Sequence, residues 1–161
     1  MDSKDPTRNF GFLVHEVARL LRRNFDRRVS DLGLTQAQWR TLAYLSRHEG
    51  MNQSALAELL EIKPITLARL LDRLEQAGWI ERRSDPADRR AFRLYLTEAA
   101  QPLLVDMERL ASKTRRDALA GLSRAEQSQV LDLLGTLKKN LLEAEAHLPP
   151  RATKKDVTDD E

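Results

Sequence analysis

Lys63, Thr66, Arg69 and Arg73 recur at spacings of three and four residues, and Asp88, Arg89 and Arg90 follow in a short charged segment. On a helix the first set falls along one side. Arg carries a rigid fork of N–H donors that fits a phosphate or the paired acceptors of a guanine edge, and a Thr methyl packs on a thymine methyl. This is binding chemistry rather than bond-breaking chemistry. Which Arg meets a base and which a phosphate is left open by the sequence. The second set suits a hairpin tip, where an inserted Arg meets the concentrated negative potential of a narrow A·T-rich minor groove. Asp88 is repelled by DNA there unless it pairs with a nearby Arg and fixes the tip. The competing reading of both sets is ordinary solvated charge.

Other chemistries find little support. His15, His48 and His147 are far apart, and no glycine-rich phosphate loop or nucleophile beside a base is visible. The absence of Cys removes disulfides, thiolate metal sites and a thiol redox sensor. No enzyme, metal or cofactor is expected. The chain is only mildly basic, with net charge +2 and a pI near 9.1. Yet between Lys63 and Arg93 eight bases face five acids, so this stretch alone exceeds the excess of the whole chain.

The elements that must position these residues run from Gln53 to Thr97. Two short helical patterns, 53–60 and 64–77, meet at Glu61-Ile62-Lys63, a turn without glycine. Asn52 suits the first as N-cap, Pro64 the first turn of the second, and Gly78 its end. Leu56, Leu59 and Leu60 are expected to face the core, with small Ala57 at the crossing. Leu67, Leu70, Leu71 and Leu74 form the buried side of 64–77, leaving Ile65, Thr66, Arg69, Asp72, Arg73 and Gln76 outward. Runs with period two at 79–84 and 91–96, with Phe92, Leu94 and Leu96 on one side, flank the tip at 85–90. This is the outline of a winged helix-turn-helix.

Longer helices flank it. The run 7–32 carries Phe10, Val14, Val17, Ala18, Leu21, Phe25, Val29 and Leu32 at helical spacing. It also carries Arg19, Arg22, Arg23, Arg27 and Arg28, either a solvated flank or an anion-binding rim. Thr35 and Gln38 make a capping box, and Leu34 and Trp39 a hydrophobic staple, for a helix to about residue 48. Thr97 is expected to cap 98–120, which Pro102 bends. Ser123 and Glu126 make a second capping box for 124–146, with Val130, Leu134, Leu137 and Leu141 on one stripe. The fold class is mainly α with a small β-hairpin wing. One domain spans 1–147, with the winged module at about 35–97, dimerisation helices at about 7–32 and 98–146, and a flexible polar tail at 148–161. The leucine stripes lack partners within the winged module, which implies a two-fold homodimer. Two copies of 64–77 about 34 Å apart would enter successive major grooves of double-stranded DNA at an inverted repeat. No run is long and apolar enough for a signal peptide or membrane span, so a cytoplasmic place and no membrane partner are expected.

At these residues the chain resembles the MarR family of bacterial transcriptional regulators, over about residues 10–146. The resemblance rests on Leu34-Thr35-Gln36-x-x-Trp39, on Gln53-Ser54-x-Leu56-Ala57, and most specifically on Asp85-Pro86-x-Asp88-Arg89-Arg90 followed by Leu96-Thr97. Leu96-Thr97-Glu98-x-Ala100 is similar to the SlyA-like branch, although the family often has Gly at the position of Ala100. The resemblance implies a triangular helical homodimer with 64–77 as recognition helix. It also implies that Arg90 enters the minor groove, that Asp88 supports it, and that Arg69 acts on the recognition helix. Members usually repress genes and release DNA when an anionic aromatic ligand binds between the dimer helices and the DNA lobe. Some respond to aromatic acyl-CoA thioesters, and some displace other DNA-bound proteins instead. The corresponding pocket here would draw on Leu13, Val17, Arg19, Trp39, Arg40 and Ala43, and on Arg69, although Trp39 reads first as a core and staple residue and only second as a ligand contact. The alternatives are a winged module used only for protein contacts, or an activator that displaces silencing proteins without a ligand. Replacing Arg90 by Ala is expected to weaken operator binding by about 1–3 kcal/mol, with the dimer and helical content intact. Gel-shift titration alongside sedimentation and circular dichroism checks this, and loss of the dimer would show the residue to be misplaced.

Overall fold

The computed structural model describes residues 9–85 and 91–148. They fall into two compact units, one ending at Ala118 and one beginning at Leu119. The first unit begins with α1 (Phe10–Val29), whose N-cap Asn9 accepts a bond from the Phe12 N–H at 3.1 Å. That cap sets the start of the helix inside the expected 7–32. Its last turn tightens over Ser30–Leu32, and Gly33 closes it in a left-handed conformation, φ 71°. α2 (Gln36–Leu45) starts at the expected capping box, with Thr35 and Gln38 exchanging both bonds. It ends three residues short of the expected limit, in a turn leading to Gly50.

A two-residue strand, β1 (Met51–Asn52), comes next. The sequence reading did not foresee it, because two residues carry no periodicity. α3 (Gln53–Leu60) is capped by Asn52, whose side chain accepts from the Ala55 N–H at 2.8 Å. Leu56, Ala57 and Leu60 are buried, but Leu59, expected inward, is 43% exposed. The turn to α4 (Pro64–Gln76) works without glycine because Glu61 itself adopts the left-handed region, φ 56°. The Ile62 N–H then reaches back to Ala57 O at 3.1 Å and closes the helix end. Placing a side chain there costs about 1 kcal/mol, which the closed turn and its packing offset. The four leucines of α4, Leu67, Leu70, Leu71 and Leu74, are all buried as their spacing predicts.

β2 (Ile80–Ser84) and β3 (Phe92–Leu96) form the antiparallel wing stem, and β1 adds to the other side of β3. Met51 lies opposite Leu94, and Ile80 opposite Leu96. Leu94 is fully buried, Leu96 packs at the margin of the core, and Phe92 is 46% exposed because the strand has run past the core by then. The tip, with Asp88, Arg89 and Arg90, lies outside the described residues. Thr97 stands at the N-cap position of a single 3-10 turn, Glu98–Ala100, rather than of the long helix, and its side chain makes no capping bond there. Its hydroxyl donates to Gly78 O at 2.5 Å, and its N–H donates to Trp79 O at 3.1 Å. α5 (Gln101–Ala118) follows with Pro102 in its first turn, where no helical N–H is required of it.

The core gathers Phe25 and Val29 of α1, Leu42 and Leu45 of α2, the buried faces of α3 and α4, Ile80, Leu94 and Met107. α1 is pinned to α5 by Arg28, which donates to buried Thr114 Oγ1 at 2.8 Å and pairs with Asp117. The Thr114 hydroxyl donates in turn to Leu110 O at 3.1 Å, so this buried side chain is satisfied both as donor and as acceptor. The remaining apolar residues of α1 are largely outside this core. Phe10, Phe12, Leu13, Val14, Val17, Leu20 and Leu21 are all exposed.

In the second unit, α6 (Arg124–Ala146) opens at the expected capping box. The Ser123 N–H donates to Glu126 Oε2 at 2.7 Å, and the Glu126 N–H donates to Ser123 Oγ at 3.3 Å. The Ser123 hydroxyl and N–H hold the Glu126 carboxyl below its ordinary value of 4.5. Leu134 and Leu141 of the expected stripe are exposed. No helix among the described residues is long and apolar enough to cross a membrane.

One glycine is sterically required in the first unit. Gly50 has φ 76°, and a Cβ there would lie 3.0 Å from the Tyr95 hydroxyl oxygen. Its N–H donates to Leu94 O at 2.9 Å, so it cannot move away freely. Gly50→Ala is expected to lower stability by about 1–3 kcal/mol. Urea unfolding checks this as a lower midpoint with an unchanged slope.

Candidate nucleic-acid interface

α4 separates its two sides cleanly because its leucines recur with the helical period. Ile65, Thr66, Arg69, Asp72, Arg73 and Gln76 are exposed on the side opposite the core, as expected. Lys63 is the N-cap residue and is also exposed, without a side-chain capping bond. The structure therefore brings Lys63, Thr66, Arg69 and Arg73 onto one solvent-facing edge of one helix.

The charges around this edge are sorted by Arg82, a β2 residue that sequence reasoning missed. Its guanidinium meets Asp72 Oδ1 at 2.6 Å and also pairs with Glu75. Its backbone N–H donates to Glu75 Oε1 at 3.1 Å. The Arg82 side chain is only 17% exposed. Asp72 and Glu75 are the two acids of α4, three residues apart and hence on neighbouring positions of the surface. Both are occupied by one cation from the wing stem. Among the described residues, the side chains of Lys63, Arg69 and Arg73 make no ion pair or hydrogen bond. They remain available to an anionic partner.

The other arginines of the wing stem are also engaged. Arg83 pairs with Glu81 and stacks over the Tyr95 ring at 4.2 Å. Arg93 meets Asp85 at 2.9 Å and donates to Gly50 O at 3.2 Å. The six described bases between Lys63 and Arg93 thus resolve into two groups. Arg82, Arg83 and Arg93 hold the wing stem, whereas Lys63, Arg69 and Arg73 project as unpaired charge. The signal for Arg82 was the Asp72 and Glu75 pair at helical spacing, which needs a cation, but spacing alone does not say which one. Arg89, Arg90 and Asp88 lie outside the described residues.

The candidate effector residues are placed differently. The Trp39 indole N–H donates to Asp26 Oδ1 at 2.6 Å, and its ring packs edge-on against Phe25 at 4.7 Å. Those contacts tie α2 to α1 and make Trp39 a packing residue at the margin of the core. Ala43 packs against the core, and Arg40 is half-buried on the same helix. Leu13 and Val17 are exposed on α1. Leu13 stands about 18 Å along the helix axis from Phe25, given about 1.5 Å per residue. Arg19 is tied to Glu16 at 2.6 Å, and its hydrogen bond holds the Glu16 carboxyl below 4.5. One chain therefore brings Trp39, Arg40 and Ala43 together on α2 but leaves Leu13 and Val17 well away from them.

Replacing Arg82 by Ala is expected to lower stability by about 1 kcal/mol or less, the range for partly exposed pairs. It is also expected to weaken duplex DNA binding, because Asp72 and Glu75 then face the phosphates uncompensated. Fluorescence anisotropy with a labelled duplex, read beside thermal melting, separates the two effects. An unchanged affinity with a lowered melting temperature would assign the residue to stability alone.

Residues 34–92 match the MarR family. The fold also superposes on several solved structures. One is the transcriptional regulator PA3341, at 39% identity and TM-score 0.73, covering 84% of this chain and 99% of that one. A second is the transcriptional regulator SlyA, at 31% identity and TM-score 0.68, covering 82% and 93%. A third is a MarR transcriptional regulator from Methanosarcina mazei Go1, at 26% identity and TM-score 0.74, covering 83% and 96%.

Proposed function

Because this chain belongs to the MarR family of DNA-binding transcriptional regulators, we propose that it is a cytoplasmic, SlyA-like repressor that grips an inverted-repeat operator as a homodimer. The observation that carries this reading is the edge of α4. Lys63, Arg69 and Arg73 stand unpaired there with Thr66, while Arg82 occupies both neighbouring acids. A helix so arranged presents donors for guanine edges and phosphates and withdraws the charges that would repel them. Arg89 and Arg90 of the tip, supported by Asp88, serve as the minor-groove readers in the same scheme. The exposed apolar run of α1, from Phe10 to Leu21, supports a second copy of the chain as the partner that covers it.

The winged-domain-as-protein-clamp alternative is less well supported. It needs an apolar stripe along α4 and the wing, and among the described residues that surface exposes Ile65 and Phe92 singly. Release by an aromatic acid or its acyl-CoA thioester belongs to the proposal through Trp39, Arg40 and Ala43, with Leu13, Val17 and Arg19 reaching the site only through the dimer. The activator that displaces silencing proteins shares the same DNA-reading edge and differs in lacking a ligand.

A salt titration against an inverted-repeat duplex tests the reading. Log affinity is expected to fall linearly with log salt concentration, because each phosphate contact releases counterions. Arg73→Ala should reduce the magnitude of that slope by about 1 if Arg73 grips one phosphate. Undetectable binding at low salt would sink the regulator reading.

A further inference from the structure

Ile65 is 63% exposed, the most exposed large apolar residue of the winged module, where only Leu59 and Phe92 accompany it among the described residues. It lies in the first turn of α4 directly after Pro64, opposite the buried leucines. Neither the core nor the helix needs it there. The first turn of a helix favours acids and small polar residues, and a β-branched side chain adds nothing to helix stability. Its neighbours at helical spacing are Ala68 and Arg69, and Thr66 sits beside it. The edge of α4 therefore begins with a stiff apolar knob and continues with two unpaired guanidinium groups.

We propose that Ile65 is a specificity residue that selects thymine by packing on its C5-methyl group in the major groove. The inference rests on the DNA-reading role proposed above and adds to it the base that is read. Thymine alone presents a methyl group in that groove. A branched alkyl side chain neither donates nor accepts, so pressing it on any other edge strips water from polar groups and returns nothing. In a helix the isoleucine side chain is held largely in one χ1 rotamer, so the knob points in a set direction. The four-residue step from Ile65 to Arg69 spans about 6 Å of helix. That is about two base-pair steps of 3.4 Å, which places the selected thymine within about two base pairs of the group that Arg69 holds.

The test begins with duplexes enriched from a random pool by the full-length wild-type protein. Enrichment is expected to yield a thymine at one fixed position in each half-site. Replacing that thymine by deoxyuridine removes only the methyl group. It should weaken wild-type binding about fourfold, the worth of one buried methyl, and leave the binding of Ile65→Ala unchanged. Ile65→Ala should also enrich duplexes with no preference at that position. An equal loss in both proteins, or no thymine whose methyl matters, overturns the proposal while leaving DNA binding intact. A wild-type protein that enriches no duplex overturns the DNA-reading role itself, and the proposal with it. An unchanged melting temperature for Ile65→Ala shows that the surface change leaves the fold in place.

Discussion

One guanidinium holds the reading apparatus together. Arg82 leaves the wing stem and closes on Asp72 and Glu75 of α4, so the helix and the hairpin share a single charged joint. The covalent link between them is short. Gly78 turns it in the left-handed region, the Trp79 N–H bonds back to Leu74 O at 3.0 Å, and Thr97 reaches across from the far end of the wing to Gly78 and Trp79. None of these contacts is strong alone, since partly exposed ion pairs contribute a kilocalorie at most. Their effect is geometric. They set the orientation of the base of the wing relative to α4.

The same joint decides where charge goes. A count along the chain finds many bases near the reader but cannot say which are spent on the protein itself. In the fold, Arg83 and Arg93 are taken by Glu81 and Asp85, and Arg28 in α1 is taken by Thr114 and Asp117. Among the described residues of α4, its cap and the wing stem, the cations left without an ion pair are Lys63, Arg69 and Arg73. A weakly basic chain thus presents a concentrated basic edge through selective pairing, without needing a large net charge.

How much of this was legible in the sequence depends on the length scale of each feature. α4 was legible because four leucines repeat with the helical period, and the caps of α2 and α6 because each is a local exchange between residues three apart. Leu59 misled because α3 is only eight residues long. Leu56, Ala57 and Leu60 define its buried direction, and at about 100° per residue Leu59 falls roughly a quarter-turn away. β1 had no period to read, and its existence depends on Leu94 and Arg93 arriving from far along the chain. Arg82 was missed for the same reason. The paired acids announce a need, and only the folded path of β2 shows what meets it. Family resemblance reached the tip residues Asp88, Arg89 and Arg90, which lie outside the described structure.

The three-stranded sheet has one more consequence. An exposed hairpin must avoid pairing with its own kind. β3 is paired on both sides, by β2 along its length and by β1 at Leu94 and Arg93. The outer strand β2 is five residues long and carries Glu81, Arg82 and Arg83 in succession. A short, charged rim is a poor template for a passing strand. The described wing stem therefore gives a passing strand little to pair with, and its outer rim does not invite sheet growth between copies.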